Sequence, residues 1–174
     1  MKVSGLRVTA GYALGVLAVA LARPTPRSIL AGLAVAALGE LVRLWASAHI
    51  EKTERLATGG PYAHTRNPLY LGSALLAVGF GVAAHSVAVV VAVILYFAAF
   101  YPAVIAEESR FLRAKFGEPY DVWARAVPGF LPRITPGGPR SSRFDWARVR
   151  KNREWRTALA LPLFGLVLYL RSLV

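Results

Sequence analysis

An all-α, polytopic membrane helix bundle is the fold class this sequence predicts, and three observations predict it. Of its 174 residues, 56% are hydrophobic and only 17% charged, whereas water-soluble domains run about 45–50% apolar and about 25% charged. The apolar residues gather into five long stretches dominated by Ala, Leu and Val. Those stretches do not alternate with polar residues, so they read as helices rather than barrel strands, the two structures that satisfy a backbone in lipid. The same composition excludes disorder, because the chain has abundant apolar surface to bury. Without cysteine there is no disulfide framework, zinc–thiolate site or thiol nucleophile. The three histidines, His49, His64 and His85, are too scattered to suggest a metal site, and none is expected.

A bilayer core of about 30 Å takes roughly 17–25 helical residues. Five spans are expected near 8–22, 28–48, 69–84, 87–106 and 157–173 of a single domain covering 1–174. The first follows Lys2 and Arg7 and could be a signal peptide, but Ala22-Arg23-Pro24 is a poor cleavage site, so the helix is expected to be retained. Gly11 and Gly15, four apart, would let it approach a neighbour closely. The Arg23–Arg27 stretch, with Pro24 and Pro26, forces a tight hairpin into the second span. That span carries Glu40 and Arg43, three residues apart and so on one helix face. Glu40 is costly if it faces lipid; the pair either holds the bundle together or reaches a substrate. His85-Ser86 joins the third and fourth spans. The first and third spans are short, and need tilt or bilayer thinning.

Charge sets the orientation. The chain has 21 basic and 9 acidic residues, a net charge of +12. Twelve Lys or Arg fall between 110 and 156, four between 43 and 66, and three at 23, 27 and 171. The positive-inside rule puts the N-terminus, 50–67 and 107–156 in the cytoplasm and the C-terminus outside. Because the basic clusters flank spans, their expected partner is anionic lipid headgroups and not nucleic acid.

The two cytoplasmic segments carry the candidate chemistry. The first reads Gly59-Gly60-Pro61-Tyr62-Ala63-His64-Thr65-Arg66-Asn67-Pro68-Leu69-Tyr70-Leu71-Gly72. Gly-Gly-Pro signals a turn, and Asn67-Pro68 suits a helix start with Asn as N-cap. Free N–H groups there attract anions, and Arg66 adds a fixed charge. The second runs from Glu107-Glu108 through Phe116-Gly117 to Tyr120 and Trp123. Adjacent helical residues point about 100° apart, so the two glutamates cannot both face one partner. Phe111, Phe116, Tyr120, Trp123 and Phe130 alternate with basic residues, as in an amphipathic helix lying at the membrane interface.

In order and spacing, Gly-Pro-Tyr-x-x-x-Arg-Asn-Pro-x-Tyr-x-Gly, a helical hairpin, and Glu-Glu followed by Phe-Gly-x-x-Tyr-x-x-Trp resemble the isoprenylcysteine carboxyl methyltransferase family and its phospholipid N-methyltransferase relatives. The resemblance covers Gly59 to about Arg133. It implies an integral membrane enzyme that uses S-adenosylmethionine on the cytoplasmic side and releases S-adenosylhomocysteine. Tyr62, His64, Arg66, Asn67, Pro68, Tyr70 and Gly72 would line the cofactor. Glu107 or Glu108 would hold its amino group or position substrate, Tyr120 would close the pocket, and Arg66, Glu40 and Arg43 are further catalytic candidates. The chain departs from the isoprenylcysteine pattern in having Asn67 in place of a histidine and Ala103 or Val104 in place of an arginine one turn before the glutamates.

A water-borne methyl donor and a lipid-like or prenylated acceptor can meet only near the cytoplasmic helix ends. The chemistry asks mainly for alignment at about 3–3.5 Å and for exclusion of water. A phospholipid N-methyltransferase, a sterol-reductase-like enzyme with a nicotinamide cofactor and a non-enzymatic membrane scaffold are the alternatives.

Overall fold

The computed structural model describes residues 2–51, 55–139 and 143–173. Lys52 and Arg140, counted above among the basic flanks, lie outside the described residues. Seven α-helices and no strand occur among those described: α1 Lys2–Ala20, α2 Pro26–Ser47, α3 Pro68–Ala83, α4 Val87–Phe116, α5 Glu118–Ala126, α6 Trp146–Lys151 and α7 Trp155–Arg171. A helix, α1, α2, α3, α4 or α7, occurs at each of the five expected positions. Two of them, α2 and α4, are long and apolar enough to cross a membrane; Gly5–Ala20 and α3 are apolar but shorter. The chain divides into two compact units, Met1–Glu40 with Ser73–Val104 and Thr157–Val174, and Leu41–Gly72 with Ile105–Arg156.

The first unit is built on small residues. A Cβ on Gly32 of α2 would lie 2.5 Å from the Gly79 carbonyl oxygen of α3, and one on Gly79 would lie 2.7 Å from that of Gly32. Two backbones can meet this closely only where no side chain intervenes. The expected Gly11–Gly15 contact is only half realised: Gly11 faces the Tyr96 ring, whereas Gly15 faces open space. Ala18, Val89 and Val93 form one packed cluster, and Ala22, Ala83, Ala84 and Leu168 another. The hairpin into α2 is fixed by a reciprocal capping box, Thr25 N–H to Ser28 Oγ at 2.9 Å and Ser28 N–H to Thr25 Oγ1 at 3.1 Å. Arg171 donates to the carbonyls of Ala22 (3.0 Å) and Ala20 (3.1 Å), satisfying the end of α1. Outward, the unit presents Leu30, Val87, Leu95 and Leu163 at 63–80% exposure. An apolar exterior of this kind suits hydrocarbon better than water.

The second unit is built on aromatic residues. Ala46, Tyr62, Tyr120, Trp123 and Val127 are its core, with Leu69, Leu112 and Phe116 against it. The α4 helix continues past 106, where the fourth span is expected to end, to Phe116, and Gly117, whose φ is +61°, turns the chain. One expectation changes here. Tyr120 and Trp123 of α5, expected at the membrane interface, are 1% and 6% exposed and point into the protein core. Amphipathicity fixes which face of a helix is apolar, not what covers it. The exposed aromatics of this unit include Phe144, Trp146 and Trp155 instead.

Candidate active site

The glycine-rich motif builds a single 3₁₀ turn, Gly60–Ala63, that drives Tyr62 inward. Gly60 adopts φ +58°, and a Cβ on it would lie 2.6 Å from Cδ2 of the His49 ring. Only glycine suits both the backbone and the space. Tyr62 is buried against Ala46 and Trp123, and Trp123 Nε1 donates to its carbonyl at 3.0 Å. Its hydroxyl has no hydrogen-bond partner among the described residues. Burial, and then the charges of Glu108, Tyr70 and Glu154, push this phenol well above the ordinary range, with Arg43 opposing. Tyr62 is therefore a neutral hydroxyl and no base.

Residues 63–67 are clamped by the chain that follows α5. Arg66 N–H donates to the Pro128 carbonyl (2.9 Å), Arg133 N–H to that of His64 (3.0 Å) and Gly137 N–H to that of Ala63 (2.8 Å). Thr65 Oγ1 donates to the Phe130 carbonyl at 2.9 Å, and His64 Nδ1 lies 2.8 Å from the Arg133 carbonyl. The His64 ring thus helps hold the clamp. Asn67 begins α3 as expected, its carbonyl accepting from Tyr70 and Leu71, while its side-chain amide donates to the Gly129 carbonyl at 2.6 Å. Pro68 behind it is fully buried.

The clamp brings Arg66 to α5, where Nη1 donates to the Tyr120 hydroxyl at 3.2 Å. Arg66 Nε is buried without a partner among the described residues. One turn into α3, the Tyr70 hydroxyl donates to Glu108 Oε2 at 2.9 Å. The adjacent glutamates separate as helix phase requires: Glu108 is half-buried beside Tyr70, and Glu107 is exposed. Gly72 is buried on α3. Arg43 pairs with Glu154 at 2.5 Å, and Glu154 is buried. Glu40 is buried too, within the first unit.

Tyr62, Tyr70, Glu108, Arg43 and Glu154 therefore make one polar cluster inside the second unit, and Arg66 with Tyr120 makes a second pair on the same motif. Glu154 escaped the sequence reading. Its signal is a single carboxylate among Arg150, Lys151, Arg153 and Arg156, where an acidic residue has cationic neighbours whether or not it is buried.

A family model described as phospholipid methyltransferase matches residues 10–119. The chain belongs to the phospholipid methyltransferase family. The resemblance carried by the Gly59–Gly72 motif and the Glu-Glu pair points the same way. Two curated relatives are the cobalt-zinc-cadmium resistance protein CzcN of Cupriavidus metallidurans, 38% identical over 64% of this chain and 52% of its own length, and the nickel-cobalt-cadmium resistance protein NccN of Alcaligenes xylosoxydans xylosoxydans, 38% identical over 60% and 48%. The chain spans about half the length of these relatives. No solved structure matches it. The family match stops at 119, so Tyr120, the 128–137 clamp and Glu154 all lie beyond it.

Proposed function

We propose that this phospholipid methyltransferase family member is a membrane enzyme that transfers methyl from S-adenosylmethionine to an acceptor with a lipophilic tail. The observation that carries the reading is the part of the polar cluster that falls in the matched segment, where Glu108 is oriented by Tyr70 and the buried Tyr62 hydroxyl has no partner among the described residues. A buried polar group without a partner costs about 1–3 kcal/mol, which a ligand can relieve. Arg66 Nε stands in the same condition.

These groups fit the cofactor's amino-acid end. Glu108 would accept from its ammonium group, and Tyr62 and Arg66 would donate to its carboxylate. Tyr120, held by Arg66, would close over it and exclude water. When bound, the cofactor supplies an electrophilic methyl on a sulfonium. The protein's task is then to orient and to desolvate. With an amine acceptor, the acceptor's ammonium proton must first pass to solvent or a base, and transfer to the neutral amine then gives a methylated ammonium product. The phospholipid headgroup is the acceptor class the family description favours, with a prenylated acceptor as the second candidate.

The five-span topology, with the N-terminus and this cluster cytoplasmic and the C-terminus outside, belongs to the same reading. It is supported by charge. Arg143, Arg150, Lys151, Arg153 and Arg156 are exposed beside exposed Trp146 and Trp155, as suits an anionic headgroup layer. Titration calorimetry of detergent-solubilised protein with S-adenosylhomocysteine tests the reading: saturable binding is expected, and none from folded protein overturns it. Labelled-methyl transfer into a native lipid extract then identifies the acceptor.

A further inference from the structure

Glu154 is a buried carboxylate in a basic stretch, outside the family-matched segment, and the methyl-transfer reading gives it no task. Its placement is elaborate. Asp145 caps α6 through Ala147 N–H at 2.7 Å, and Asn152 Nδ2 donates to the Ser47 carbonyl at 3.0 Å and the Ile50 carbonyl at 3.4 Å, docking α6 on the end of α2. Arg153 then adopts φ +55°, a conformation that a non-glycine side chain takes at a cost of order 1–3 kcal/mol when the surroundings demand it. That reversal delivers Glu154 to Arg43 at 2.5 Å. Arg43 lies one turn before Ala46, the α2 residue packed with Tyr62 in the core. Arg43 therefore lies on the face of α2 that carries Ala46 into the Tyr62 core.

We propose that Glu154 is a positioning residue of the transfer site: paired with Arg43, it fixes the polar wall against which the buried Tyr62 hydroxyl is oriented toward bound cofactor. This role rests on the cofactor-site reading above. The charge of Glu154 does reach the phenol, being among the groups that push its ionisation upward while Arg43 opposes. Breaking a buried ion pair is costly, so loss of the Glu154 carboxylate changes the setting of the Arg43 guanidinium.

The test is a double-mutant cycle read as S-adenosylhomocysteine affinity by calorimetry, with circular dichroism and thermal melts reporting folding. Wild-type protein is measured first; folded wild type that does not bind overturns the cofactor reading and this role with it. Given binding, Glu154→Gln is expected to raise Kd about tenfold in the wild-type background and less than twofold in Tyr62→Phe, because the effect passes through the hydroxyl. A role in scaffolding alone gives equal factors in the two backgrounds, and that result overturns the proposal, as does unchanged affinity in Glu154→Gln. If Glu154→Gln does not fold, the cycle is run with Arg43→Lys, which keeps the charge but loses the planar fork. The same loss of effect in Tyr62→Phe is expected, and equal factors again refute it.

Discussion

The two units use opposite physics. In Met1–Glu40, Ser73–Val104 and Thr157–Val174, close packing comes from having almost no side chain: Gly32 and Gly79 bring backbones together, and large apolar residues face outward. In Leu41–Gly72 with Ile105–Arg156, bulky aromatics fill the core and charged groups are taken inside, where each requires a partner. Helix association in lipid gains little from the hydrophobic effect and relies on fit. A core closed off from water gains from aromatic burial and can hold polarised groups. The first design suits a scaffold and the second suits the proposed site, so the same kind of mutation should read differently in each.

The largest contrast falls on neighbouring residues of the second unit. Hydrogen bonds to charged groups contribute about 1.5–3 kcal/mol. Glu108→Gln should therefore lower S-adenosylhomocysteine affinity or methyl transfer about ten- to hundredfold, while Glu107→Gln, at an exposed position, should change either less than twofold. Arg66→Ala, which also strips Tyr120 of its donor, should cost at least about tenfold. Steady-state transfer and calorimetry on the four proteins check this; equal effects at 107 and 108 would break the assignment of the inward carboxylate.

Gly79→Val probes the other unit. Its side chain would meet the α2 backbone at Gly32 and Ala36, and overpacking of this kind costs about 1–3 kcal/mol. The thermal midpoint should fall while ligand affinity in the surviving folded protein stays within about twofold. Gly15→Val, facing open space, should leave the midpoint nearly unchanged.

These paired residues also show what the sequence could and could not disclose. The helices were legible because apolar length is a local property, and so was the phase separating Glu107 from Glu108. Gly32-xxx-Ala36 and Gly79-xxx-Ala83 are small-xxx-small patterns as readable as Gly11-xxx-Gly15, but only packing decides which stripe meets a partner. Tyr120 and Trp123 formed a recognisable apolar face whose destination, membrane or core, no periodicity specifies. Within the motif, Tyr62, Arg66 and Tyr70 stood together in sequence. Glu154 lies 111 positions after Arg43 (154 − 43), and such a pairing exists only once the chain has returned from α6.

A pH titration isolates the buried phenol. A group whose pKa is raised on folding adds stability that is full below its unfolded value, near 10, and is lost as pH climbs toward the folded value. Tyr62 is pushed upward chiefly by burial, so above pH 10 the wild type should lose stability more steeply than Tyr62→Phe. The difference approaches about 1.4 kcal/mol per pH unit in that window. Chemical unfolding at stepped alkaline pH measures it, and parallel curves would mean that the phenol ionises as freely folded as unfolded.

The smallest effect is expected where the second unit meets solvent. Arg113 and Asp121 form an ion pair of 2.7 Å, within 0.2 Å of the buried Arg43–Glu154 pair at 2.5 Å, yet their side chains are 63% and 41% exposed. Exposed pairs are worth about 0.2–1 kcal/mol, because water screens the attraction and ordering two side chains costs entropy. Asp121→Asn should therefore lower stability by less than about 1 kcal/mol, and the difference should vanish in 1 M salt, where the screening length is only about 3 Å. The buried Arg43–Glu154 pair, broken by Glu154→Gln, should be insensitive to the same salt. If the two pairs respond alike, burial is not what distinguishes them, and the polar interior of this unit is open to water.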